Sequence, residues 1–392
     1  MNQGAAGPLI FLVAGEASGD VIGGHLMAAL KRRTGGAVRF AGVGGPRMIG
    51  EGLISQFPIA ELAVMGLAEV VPHIPRLLRR IREVAENAHR LRPAVVVTID
   101  SPDFSFRVQK RLHKSGLRRV HIVAPQVWAY RPGRAAKLSA FIDHLLVLLP
   151  FEPPFFERHG LACSFIGHPA IEEGLGSGDP EAFRARHGIA PRSPIVVLLP
   201  GSRRSEVARM LPVFAATAKR LRAAHPDLQI VLLSVSHLVI FVRELLVRLG
   251  LEAQVVEGRA DKLGAFAAGR VALAASGTVT LELGLAGLPM VVGYRMNPLT
   301  AAIARRVVRV PHVAMVNLIL GRALVPELLL GACTPERLTP ALDELLVDGA
   351  AWRAQIDGFK EVAQRLRAGE SVPSEQAAAL ILNLIGPRAG GK

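Results

Sequence analysis

Residues 9–20 read LIFLVAGEASGD, an apolar run that stops at a glycine-bearing polar loop and passes into a helix-period segment near Val21. The same unit recurs at 38–43, 94–99, 120–123 and 144–149, each time followed by Gly, Pro, Ser or Asp and then a helical pattern. This βαβ rhythm is the signature of a doubly wound parallel sheet. It fades between 167 and 194, where Gly174, Gly176, Gly178, Pro180, Pro191 and Pro194 fall close together. It then restarts at 195–199, 229–233, 254–256, 271–274 and 290–292, and from Pro335 onward only helices are expected. The pattern predicts an α/β fold of two tandem Rossmann-like domains, 1–170 and 194–370, joined by a linker over 171–193 and followed by a C-terminal helix and tail over 371–392. Such pairs place a ligand in the cleft between the carboxyl ends of their strands, so chemistry is expected just after strands.

The length of 392 residues suits two domains. Lys and Arg total 47 against 32 Asp and Glu, a formal charge of +15 that attracts anions: nucleic acid, lipid headgroups or phosphorylated substrates. No basic motif interleaved with aromatics supports nucleic acid. Cys163 and Cys333 have neither CxxC nor Cys/His spacing, so neither a disulfide framework nor a zinc site is indicated, and a reducing cytoplasm is the simplest setting. The first apolar run lacks a basic leader and is too short for a secretory signal. The stretch 271–294 is apolar enough to suggest a membrane span, but Glu282, four glycines and Pro289 interrupt it, giving strand, loop, helix and strand instead.

Four loops carry candidate chemistry. In residues 14–20, Glu16 and Ser18 suit a ligand loop that is neither GxGxxG nor a P-loop, while Ser18 or Asp20 suits plain helix capping equally. In residues 98–104, Asp100 stands at a strand end where a carboxylate can act as general base, and capping of the helix opened by Pro102 is the alternative. In residues 199–207, the Gly201-Ser202-Arg203 turn offers backbone N–H groups, a hydroxyl and a guanidinium to a phosphate. In residues 275–282, Ser276, Gly277 and Thr278 repeat that arrangement. Glu282, one turn beyond Thr278, suits ribose hydroxyls or an Arg partner. No cluster has metal-ligand spacing, so no metal and no cofactor are expected.

These pieces, together with GVGGPRM (42–48), APQVWAYRPGR (124–134), FIGHP (165–169) and VNLILGR (316–322), closely resemble one family, the lipid A disaccharide synthases, which have the GT-B glycosyltransferase architecture. The resemblance runs in order from residue 9 to about residue 330. It implies transfer of 2,3-diacylglucosamine from its UDP-linked form to 2,3-diacylglucosamine 1-phosphate, releasing UDP and making a β-1,6 disaccharide with inversion. By motif, it casts Asp100, Arg203, Glu16, Ser18 and Asn317 as catalytic. Gly201, Ser202, Ser276, Gly277, Thr278 and Glu282 become UDP contacts. Tyr130, Val316 and Leu330 depart from the family pattern, and Leu330 removes a polar side chain where Gln is common. Rival readings are a UDP-sugar 2-epimerase of similar fold and a basic membrane-surface binding protein.

Between 64 and 81, Val64, Leu67, Val71, Ile74, Leu78 and Ile81 form an apolar stripe beside a basic face of Arg76, Arg79, Arg80 and Arg82. An ordinary half-buried helix fits this pattern, with Pro72 and Pro75 dividing it in two. The resemblance favours a membrane contact through Val64, Leu67, Val71, Ile74 and Leu78, because diacylated substrates reside in the bilayer. The expected setting is the cytoplasm, peripherally associated with the inner membrane surface. The expected partners are the acylated UDP-glucosamine and glucosamine 1-phosphate substrates, with no nucleic acid, and a homodimer is compatible.

Overall fold

The computed structural model describes residues 7–62, 74–126, 133–297 and 311–386. The chain forms two compact units, residues 1–169 with 366–392 and residues 170–365. The first unit holds β1 (Leu9–Ala14), β2 (Arg39–Val43), β3 (Val95–Ile99), β4 (Arg119–Ile122), β5 (His144–Val147) and β6 (Ala162–Phe165) in the order β2-β1-β3-β4-β5-β6. Every pairing is parallel, with Leu12 opposite Gly42 on one side and Val97 on the other. Strands β3 and β4 are buried at every position, as in a sheet covered by helices on both faces.

The second unit repeats the plan with β7 (Ile195–Leu199), β8 (Gln229–Leu233), β9 (Gln254–Val256), β10 (Val271–Ala274), β11 (Met290–Tyr294) and β12 (Glu327–Leu329), ordered β12-β11-β10-β7-β8-β9. In the first sheet the winding reverses between β1 and β3, and in the second between β7 and β10. A reversal leaves adjacent loops diverging to opposite faces and opens a crevice at the carboxyl ends of the two strands. The four loops singled out above follow β1, β3, β7 and β10, so they fall in pairs at the two reversals.

Two boundaries differ from expectation. The stretch 171–193 contains a helix, Pro180–Arg186, whose start is capped by Asp179 accepting from the Glu181 and Ala182 amides. Its Phe183 packs against Gly264 so closely that a Cβ there would lie 2.8 Å from the Phe183 side chain. It therefore belongs to the second unit. At the other end, the helix Pro373–Ile385 is no appendage of the second unit. Ala377, Ala378 and Ile381 enter the core around Leu26, Met27 and Leu30, while Glu375 holds Arg32 and Arg33 at 2.8 and 2.7 Å. Strands β6 and β12, short and only partly buried, have too few apolar residues to stand out in the sequence. Each stands at an edge of its sheet, paired on one side only.

Candidate active site

In the first unit, the strand β3 ends at Ile99 and the chain turns through two consecutive left-handed residues, Asp100 (φ +55°) and Ser101 (φ +46°). Non-glycine residues rarely adopt this conformation, and Asp tolerates it better than most. Three bonds hold the turn. The Asp100 amide donates to Ile122 O at 3.0 Å, the buried Ser105 hydroxyl donates to Asp100 O at 2.7 Å, and the Ser101 amide donates to Asp100 Oδ1 at 2.8 Å. The other carboxylate oxygen, Oδ2, accepts from the Ser18 hydroxyl at 2.5 Å. The loops after β1 and β3 thus meet, and the helix cap opened by Ser101 and Pro102 leaves the Asp100 side chain free for that contact.

Glu16 stands at the N-cap of the helix Ala17–Arg33. Partial burial, then the nearby Asp100 and Asp103 carboxylates, raise its pKa above the ordinary Glu value. Asp20 takes a different task. It is buried, and its carboxylate accepts from the amides of Gly45, Arg47 and Met48 at 2.8 to 3.0 Å, pinning the loop 42–48 beneath the site. Behind the turn lies a buried polar cluster. Gln109 Nε2 donates to Thr98 Oγ1 at 2.9 Å and Val120 O at 3.0 Å, and Thr98 Oγ1 meets His121 Nδ1 at 2.7 Å. Burial lowers the His121 pKa to about 3, so the ring is neutral and anchors the helix Pro102–Arg111 to β3 and β4.

In the second unit, a cavity of about 650 Å³ opens at the carboxyl ends of β7 and β10. Gly201, Ser202 and Glu206 line it from the first loop, and Ser276, Gly277, Thr278 and Glu282 from the second. The loop after β8 adds Ser234 and Ser236, and the helix Gly258–Ala268 adds Arg259 and Lys262. All six nucleotide-contact residues expected from sequence therefore share one cavity. Its floor includes the start of the helix Val279–Ala286, where unpaired N–H groups attract an anion.

Arg203 does not line that cavity. It is exposed at the N-cap of the helix Arg204–Ala224. Glu206, three residues into that helix, folds back so that its carboxylate accepts the Ser202 amide at 3.1 Å. An anion seeking that amide meets an internal carboxylate already there. Asn317 is fully buried and all four of its amide bonding positions are used: Nδ2 donates to Val325 O and Glu327, and Oδ1 accepts from the Leu324 and Val325 amides. Glu327 in turn accepts from the Val313 and Ala314 amides. Asn317 therefore builds the turn beneath the cavity and has no bonding position left for a substrate.

Sequence reasoning missed Glu206, Lys262 and Glu327. For Glu206 a signal existed, a Glu three residues after the N-cap position. Lys262 and Glu327 meet their partners only through the tertiary fold. Among the described residues, no group of three or more His, Cys, Asp or Glu is placed to hold a metal ion, and no helix is long and apolar enough to cross a membrane.

The paired loops, one presenting a carboxylate and the other an anion-attracting cavity, agree with a comparison against known families: the model described as lipid-A-disaccharide synthetase matches residues 10–381. The chain belongs to the lipid-A-disaccharide synthetase family. A lipid-A-disaccharide synthase of Rhodospirillum centenum is 52% identical over 97% of this chain and 95% of its own length. That of Gluconobacter oxydans is 46% identical over 97% and 91%. Among solved structures, a UDP-N-acetylglucosamine 2-epimerase assigned in Listeria monocytogenes superposes with a TM-score of 0.63 at 13% identity, covering 96% of this chain and 94% of that one. The calicheamicin glycosyltransferase does so with 0.60 at 15%, covering 98% of this chain and 100% of that one. These two show the fold, which is the GT-B architecture. The activity is lipid A disaccharide synthesis by a UDP-sugar-dependent glycosyltransferase, and the epimerase reading falls away.

Proposed function

We propose that Asp100 is the general base that takes the proton from the acceptor hydroxyl, with UDP leaving from the cavity of the second unit. The observation that carries this is the Ser18 to Asp100 bond: the hydroxyl holds one carboxylate oxygen while a strained turn holds the backbone, so the base is aimed before substrate arrives. Glu16, exposed beside it, adds negative potential that favours an incoming proton or a sugar hydroxyl. In the second unit, Ser276, Gly277 and Thr278 suit the pyrophosphate, and Glu282 suits the ribose hydroxyls. Arg203 would supply charge from the rim, and Asn317 serves by positioning. The donor would be UDP-2,3-diacylglucosamine and the acceptor 2,3-diacylglucosamine 1-phosphate, with inversion at the anomeric carbon. Helix N-termini and Arg203 would stabilise departing UDP without a metal ion.

Asp100→Asn tests the base. Loss of a general base slows turnover about 100-fold to 10,000-fold, while UDP binding by calorimetry should stay within a few-fold of the parent. Turnover within a few-fold of the parent would sink the assignment, and turnover abolished by EDTA would sink the metal-free reading.

The membrane contact rests on the helix Ile74–Leu91, where Ile74 and Leu78 are exposed while Ile81, Val84, Ala85 and Ala88 face the core. Val64, Leu67 and Val71 lie outside the described residues. The basic face is partly neutralised, since Glu61 binds Arg76 and Arg80 and Glu83 binds Arg79 and Arg80. Apolar insertion should therefore dominate over charge. Replacing Ile74 and Leu78 together with Ser should release the protein from anionic vesicles more than raising salt does, and unchanged sedimentation with vesicles would move the contact elsewhere.

A further inference from the structure

The carboxylate of Glu282 pairs with Lys262. The ammonium of Lys262, on the helix Gly258–Ala268, lies 2.7 Å from Glu282 Oε2 on the helix Val279–Ala286. Both residues line the 650 Å³ cavity, and their side chains are 27% and 29% exposed. A pair standing free on the surface would contribute little. Here the pair forms part of a concave wall, where a carboxylate with several rotamers would otherwise sample positions useless to a ligand.

A carboxylate accepts at two oxygens, and Lys262 engages only Oε2. Oε1 remains available to accept from a ligand hydroxyl. The ammonium has three donors, so it too retains bonding capacity. Its Nζ lies 5.9 Å from the centroid of the Phe266 ring, one helical turn along the same helix. The two helices flank β10 in the chain, so the contact also ties the start of the Val279–Ala286 helix to its neighbour.

We infer that Lys262 is a positioning residue for nucleotide recognition, fixing Glu282 so that its free oxygen reads the ribose hydroxyls of UDP. The inference rests on the proposed ribose role of Glu282. A lysine acting this way sets selectivity for hydroxylated sugars, whereas a lysine acting as a bare cation strengthens every phosphate-bearing ligand alike. The two modes separate on ligands that differ only in the hydroxyls.

The test is calorimetric titration of the full-length protein with UDP and with 2′,3′-dideoxy-UDP. The parent should prefer UDP by about 10-fold to 100-fold, the range that charge-assisted hydrogen bonds give. Lys262→Met should compress that preference to within about 3-fold, as should Glu282→Gln, and Lys262→Arg should restore most of it. The Met variant lies on an accessible helix face, and an unchanged thermal transition would show it folded. If Glu282→Gln compresses the preference and Lys262→Met leaves it intact, the positioning role is overturned. If Lys262→Met weakens both ligands equally, Lys262 is a general cation and the inference fails. If neither variant alters the preference, the ribose reading of Glu282 itself is wrong and the inference falls with it.

Discussion

At the switch point of the first unit the left-handed residues are Asp100 and Ser101, and at that of the second they are Gly201 (φ +123°) and Gly277 (φ +155°). Both pairs sit just past the carboxyl ends of parallel strands. Their residues differ as the roles proposed for them differ. A loop that must present a carboxylate needs a side chain at the turn, so it accepts a strained backbone held by the Ile122, Ser105 and Ser18 contacts. The loops at Gly201 and Gly277 line the cavity without presenting a side chain at the turn, and glycine adopts the conformation without strain. The two units thus obtain positive-φ turns at their switch points by opposite means.

Exchanging those means tests the comparison most severely at Gly201. A Cβ there would lie 2.2 Å from Glu206 Oε2, in a backbone region closed to L side chains. Gly201→Ala should lose about 1 to 3 kcal/mol of stability and lower UDP affinity at least tenfold on the scale of charge-assisted contacts, read by denaturation and calorimetry. Normal affinity would mean that the first loop does not touch the nucleotide.

A second contrast is in acid. Among the described residues, burial lowers the pKa of His121, His144 and His168, all in the first unit; for His121 the value is about 3 and for His168 about 4. As pH falls below the ordinary value of 6.5, the unfolded chain takes up protons that the folded unit refuses. Stability is therefore intact above that value and is lost progressively toward pH 4 and 3. Between pH 6.5 and 5.5 the loss should be roughly 2 kcal/mol. Hydrogen exchange should show β3 and β4 opening before β7 and β10, and equal acid sensitivity in both units would contradict the assignment.

The smallest effect is expected at Ser101. Its amide, which holds Asp100, is present whatever the side chain. Ser101→Gly relieves a left-handed serine but adds freedom to the unfolded chain, so stability should change by less than about 1 kcal/mol and turnover by only a few-fold. A large loss of turnover would show that the serine hydroxyl itself has a role.

Much of this was legible in sequence because strands in a covered parallel sheet are apolar throughout and end abruptly at polar loops. The four loops could be read as strand ends from 9–14, 95–99, 195–199 and 271–274 alone. Their pairing at two reversals could not, since strand order is a property of the whole sheet. Asp100 was legible as a carboxylate after a strand, but its left-handed backbone and its bond to Ser18, 82 residues away, depend on tertiary contacts. Asn317 shows the converse: its motif marks it as important, while its four internal bonds make that importance architectural.

The return of the helix Pro373–Ile385 to the core of the first unit has a consequence for biosynthesis. The second unit is continuous in the chain, from residue 170 to 365, and can close as soon as its last helix leaves the ribosome. The first unit, begun earlier, must wait with the surface around Leu26 and Leu30 uncovered until the final helix arrives. Domains usually mature in the order they are made. This chain inverts that order, and the half that holds Asp100 is the last to be sealed.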